Sequence, residues 1–117
     1  GFWGCCGAAV STGMFLSIVT GATPLSGKSW GLANRMTAQA LERIGKVGGP
    51  RCCKRNSFLA IQAAAEFVEK NLGVHMEMPE RIQCYFSSDN RQCLKKGCPY
   101  YIGSERPLAP CMPSKQK

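Results

Sequence analysis

Two vicinal cysteine pairs, Cys5-Cys6 and Cys52-Cys53, constrain this chain more than any other feature. They belong to a set of eight cysteines in 117 residues. So many thiols in a short chain mean either a secreted disulfide framework or a reduced protein that ligates metal. Adjacent cysteines rarely bridge each other and are awkwardly placed for separate partners elsewhere. The segments beside them have helical rather than loop-rich patterning, and no charged region precedes the first apolar stretch as a secretory signal requires. The expectation is a reduced, cytoplasmic protein whose cysteines serve a metal centre or thiol chemistry.

At this length the chain makes one domain with its own hydrophobic core. Residues 7–20 are apolar with small residues interleaved, too short to cross a membrane and suited to a buried helix. Gly21 and Pro24 interrupt the chain. From about residue 26 to 45, Trp30, Ala33, Met36, Ala40, Leu41 and Ile44 recur at helical spacing, which predicts an amphipathic helix. Gly48-Gly49-Pro50 ends it. A third helix is expected from about Ser57, capped by Asn56 or Ser57 and closed by Gly73, with Phe58, Ile61, Ala64, Ala65, Val68 and Leu72 on one face. Glu66 and Lys70 have the favourable i,i+4 orientation. Alternation over residues 74–78 predicts a short strand before Pro79. A cysteine-rich, turn-rich stretch follows, with a helical turn expected after Ser88 or Asp89. The fold class is therefore mainly α: a three-helix core with a short strand and a C-terminal cysteine-rich, loop-rich metal-binding segment. Residues 1–103 form the domain, and residues 104–117, with Pro107, Pro110 and Pro113, a flexible tail.

The clearest candidate metal segment is Cys84-x8-Cys93-x4-Cys98-Pro99. Three thiols on turn-forming sequence can converge without help from the rest of the fold, and soft sulfur suits zinc or an iron–sulfur cluster. The spacing matches no standard finger or ferredoxin, and C-x2-C is absent. A fourth ligand is needed, and Cys111, His75 or one of the vicinal cysteines are the options. A second constellation is Arg51-Cys52-Cys53-Lys54-Arg55. Cations are disfavoured at a helix start, where the dipole is already positive. A thiolate, a cluster or a phosphate there would offset the repulsion, which makes Cys52 and Cys53 candidate reactive thiols and Arg51, Lys54 and Arg55 a candidate anion or cluster environment. Solvated basic side chains explain the same residues equally well. Gly4-Cys5-Cys6-Gly7 also opens a helix, so the two helix starts are candidates to face one common site, with Cys5 and Cys6 as further ligands.

The formal charge of +8 fits either an acidic or nucleic-acid partner or internal compensation of thiolate charge. Ala22 to Ser29 contains a loose phosphate-loop pattern ending Gly27-Lys28-Ser29. That motif needs a preceding strand and an acidic magnesium ligand on a second strand, and the chain has a single Asp, Asp89. One His and one Asp also leave little for a hydrolytic triad.

Taken together, Gly21-Ala-Thr-Pro-Leu-Ser26, Leu32-Ala-Asn34, the block Gly48-Gly-Pro-Arg-Cys-Cys-Lys-Arg55, Cys84 to Asn90, Cys93 and Cys98-Pro99 resemble an uncharacterised cysteine-rich domain family of methanogenic archaea and anaerobic bacteria. The resemblance spans roughly residues 4–102. It implies a reduced, anaerobic setting and transfers no activity. The leading expectation is a thiolate-ligated domain, iron–sulfur favoured over zinc, in redox or cofactor chemistry and working with a protein partner or larger complex. The alternative is a zinc-stabilised, non-catalytic module that binds nucleic acid or an acidic protein. Whether the chain is an enzyme is left open, and no membrane association is expected. Because the phosphate-loop match is read as accidental, Lys28→Ala is expected to leave ATP affinity unchanged in equilibrium dialysis. A micromolar, saturable affinity that the substitution abolishes would overturn that reading.

Overall fold

The computed structural model describes residues 3–103, so the proline-rich tail and Cys111 lie outside the described residues. Three helices follow one another: α1 (Gly7–Thr20), α2 (Lys28–Val47) and α3 (Cys53–Leu72). The order reflects the glycine and proline breaks between apolar runs. Gly73, at φ 69°, closes α3 in the left-handed conformation that a side chain would disfavour.

The core is built from small residues at helical spacing. Ala9 and Leu16 from α1 meet Leu32, Ala33, Met36 and Ala40 from α2 and Ala63, Ala64, Phe67 and Val68 from α3. Leu16, Met36 and Val68 are the largest side chains buried completely. So much alanine lets the helix axes come close. Gly13 marks the tightest approach: a Cβ there would meet the Thr37 side chain and lie 2.9 Å from the Ala33 carbonyl oxygen. Arg43 of α2 and Glu66 of α3 form an ion pair across the helices. Glu66 is thus held by α2 and not by Lys70, its expected partner one turn on.

Several expectations change. Residues 74–79 form no strand, because nothing runs alongside to accept their backbone hydrogen bonds, and Val74 and Met76 stay exposed. Strand-like pairing among the described residues amounts to an isolated parallel bridge between Cys84 and Tyr101. α1 is buried on one face only, with Met14, Ile18 and Val19 open to solvent. α3 begins four residues before Ser57. Cys52 is extended at φ −141° and caps the helix, its sulfur accepting the Arg55 N–H, so Asn56 and Ser57 lie inside the first turn. On α3 the expected Ala64, Ala65 and Val68 are buried, joined by Leu59, Ala60, Ala63 and Phe67, while Ile61 is half exposed. The expected single turn near Ser88 is one of two 3-10 turns, η1 (Ser87–Asp89) and η2 (Lys95–Gly97). The element preceding Lys28 is α1 and not a strand, so the phosphate-loop context is missing.

The close approach at Gly13 has a measurable consequence. Gly13→Ala gains about 1 kcal/mol of helix propensity but must push α1 off a backbone carbonyl, and overpacking costs about 1–3 kcal/mol. It is expected to lower Tm, whereas Gly31→Ala, where a Cβ meets nothing within 4 Å, is expected to raise it. Thermal unfolding of the two variants checks the opposite signs.

Candidate metal centre

The cysteine-rich segment is laid over the start of α3 by one aromatic anchor. Tyr100, 4% exposed, packs edge-to-face on Phe58 with ring centroids 5.2 Å apart. Its hydroxyl donates to Gln62 one turn further along α3. Burial pushes the phenol up to about 12, with Cys98 adding to the rise and Arg43 opposing it. The Cys84 N–H donates to the Tyr100 carbonyl at 2.9 Å, which closes residues 84–100 into a loop.

That closure gathers thiols. A cavity of about 310 Å³ is lined by Cys52 and Cys53 from the α3 start and by Cys84, Cys93 and Cys98 from the loop. Four of these sulfurs share a local geometry. The Cys84, Cys93 and Cys98 sulfurs each accept the backbone N–H two residues on, from Phe86, Lys95 and Tyr100, at 3.4, 3.3 and 3.4 Å. The Cys52 sulfur accepts the Arg55 N–H at 3.5 Å and the Asn90 side-chain amide at 3.8 Å. Cysteine sulfur accepts such bonds weakly as a thiol and more strongly as a thiolate. Burial raises the Cys98 thiol; the Tyr100 N–H and Arg55 act against that, while Cys84 and Cys93 act with it.

Among the three cations of the Arg-Cys-Cys-Lys-Arg block, the fold separates the roles. Arg51 is exposed at the cavity rim, and Lys54 sits over the Phe86 ring, 4.2 Å from its centroid. Arg55 is 2% exposed. Its Nη2 donates to the Gly48 and Pro50 carbonyls at 3.0 and 2.7 Å, and its Nε is buried with no partner. Among the described residues no carboxylate pairs with it.

The other sequence candidates lie elsewhere. Cys5 and Cys6 stand apart from that five-cysteine cavity and line a second one of about 660 Å³, where the starts of α1 and α3 meet; Cys53 and Arg51 line both. His75 is exposed beside Glu69 at 3.6 Å and borders neither cavity. In the sequence Tyr100 has no assigned role, and Asn90 appears only as the end of the Cys84 to Asn90 block. Neither carries a spacing signal, because each matters through a contact with α3 or its cap, 38 residues away in both cases.

Taken one ion at a time the cysteines do not converge. Among the described residues, no three His, Cys, Asp or Glu side chains are grouped to hold a metal ion. No helix among them is long and apolar enough to cross a membrane. No curated protein and no solved structure matches the chain. A family model does match, over residues 1–101, and the chain belongs to that family of unknown function, DUF5714.

Proposed function

We propose that the cavity between the α3 start and residues 84–100 holds an iron–sulfur cluster on Cys52, Cys84, Cys93 and Cys98, and that the protein serves redox or cofactor chemistry. The observation that carries this reading is Arg55. A guanidinium taken out of water costs several kcal/mol unless an anion neutralises it, and no carboxylate among the described residues pairs with Arg55. Thiolates and the cluster they bind supply that anion, and the orphaned Nε lies on the residue that lines their cavity. The N–H bonds onto four sulfurs support the same assignment.

The donor set also bears on which metal. Tetrahedral zinc holds each sulfur at about 2.3 Å, so its four ligands must stand within about 4 Å of one another. Among the described residues no three such side chains are grouped to hold a single ion. A [4Fe–4S] cluster, whose four thiolates each take a different iron, spans a wider set and occupies volume of its own. The distribution of charge favours the cluster over a nucleic-acid module: Arg51, Lys54 and Arg55 line the cysteine cavity, while Lys95 and Lys96 do not. When bound, such a cluster supplies one-electron transfer. The chain's own part is to ligate it, to stabilise its charge through backbone N–H groups, and to screen it with Phe86, Tyr100 and Tyr101.

Anaerobic purification with iron and acid-labile sulfide analysis tests this reading. Iron and sulfide are expected in the native chain, to be lost in Cys84→Ser, Cys93→Ser, Cys98→Ser and Cys52→Ser, and to be kept in Cys5→Ser and Cys6→Ser. Iron that survives the joint replacement of Cys84, Cys93 and Cys98 would reject the assignment, and zinc without sulfide would favour the binding module. Arg55→Gln removes a positive charge beside the cluster, so the reduction potential is expected to fall by on the order of 60 mV, a tenfold shift for one electron. Arg55→Lys, which keeps the charge, is expected to move it less, as read by redox titration.

A further inference from the structure

The second cavity has a chemistry of its own. It lies where the starts of α1 and α3 come together against the α2 end, and Cys5, Cys6, Arg51, Cys53 and Asn56 are among its walls. Neither helix carries an acidic residue in its first turn, and Cys6, which caps α1, makes no side-chain hydrogen bond to it. Gly7 and Ala8, at the start of α1, line the space directly. Two positive helix ends and the Arg51 guanidinium therefore face one volume that no Asp or Glu among the described residues lines.

Asn56 adds a demand that helix ends alone do not make. It is 5% exposed, and its Nδ2 donates to the Cys6 sulfur at 3.5 Å, which fixes the amide head against the cavity wall. Its Oδ1 is buried with no partner. An unsatisfied buried acceptor costs about 1–3 kcal/mol, and a ligand that donates to it recovers that energy. The occupant must therefore be an anion that also carries a donor. We propose that this cavity binds a phosphate group in its hydrogenphosphate form, whose oxygens take the helix ends and Arg51 while its O–H donates to Asn56 Oδ1. The volume, about 660 Å³, accommodates a small phosphomonoester as well as the free ion. This site requires no metal.

Sulfate has the same shape and charge but no O–H at neutral pH, so it isolates the Asn56 contact. Calorimetric titration of inorganic phosphate into the full chain is expected to give saturable one-to-one binding, with sulfate at least tenfold weaker. Asn56→Leu is expected to bring phosphate down to the sulfate level. Should that buried substitution prevent folding, the exposed Gly7→Asp carries the test: a Cβ there meets nothing within 4 Å and the new carboxylate stands at the α1 start that lines the cavity, so both anions weaken at least tenfold while iron content stays at the native value. Equal affinity for the two anions, absence of saturable phosphate binding, or indifference to Gly7→Asp overturns the site. Loss of iron together with phosphate affinity in Gly7→Asp also overturns it, since the anion would then sit at the metal centre. Glycerol phosphate binding more tightly than phosphate assigns the site to phosphomonoesters, and the reverse assigns it to the free ion.

Discussion

The Arg55 guanidinium, buried and held by the carbonyls of Gly48 and Pro50, ties the turn after α2 to the first turn of α3. Much of the structure depends on that contact. Cys52, between them, caps the helix through the Arg55 N–H. One residue thus contributes its backbone to a sulfur and its side chain to the loop that presents that sulfur. Charge buried this way requires compensation nearby. On the proposed function, thiolates of the adjacent cavity supply it.

The vicinal cysteines make sense on this geometry. At the start of a helix, successive side chains diverge by about a third of a turn or less. Cys52, at the cap, accepts from Asn90 on the loop side, whereas Cys53 borders both cavities. Asn56, one turn into α3, reaches across to Cys6 at the start of α1. The start of α3 is therefore a partition. A sulfur-rich space lies on one side, and an electropositive space framed by two helix ends lies on the other. Both draw on the positive end of the same helix, which is where anionic ligands are favoured.

Attachment of the cysteine loop is economical in side chains. Few apolar residues of the loop are buried, and Tyr100 carries most of the contact through its ring on Phe58 and its hydroxyl on Gln62. The remaining order comes from short backbone hydrogen bonds at η1, η2 and the Cys84–Tyr101 bridge. On the proposed function, a segment so lightly packed would gain stability from the cluster, because metal binding is folding energy for small cysteine-rich loops.

The three helices were legible in the sequence because each carries apolar residues at helical spacing between glycine and proline breaks, and those signals are local. The same locality misled at residues 74–78, where alternation is present but no neighbouring strand exists to use it, and at Ser57, where a good capping residue lost to the cap made by Cys52. The cysteines of interest, and the crowding of cations at the α3 start, were also plain from the residues alone. Tertiary structure decided how they are shared out: Cys52 joins Cys84, Cys93 and Cys98, Cys5 and Cys6 turn to a different space, and one cation of three is buried. Spacing reports what a residue's neighbours in the chain can do. Which thiols meet across 30 to 50 residues depends on Tyr100, Asn90 and Asn56 finding partners on another element, and a contact of that kind leaves no periodic trace in the sequence.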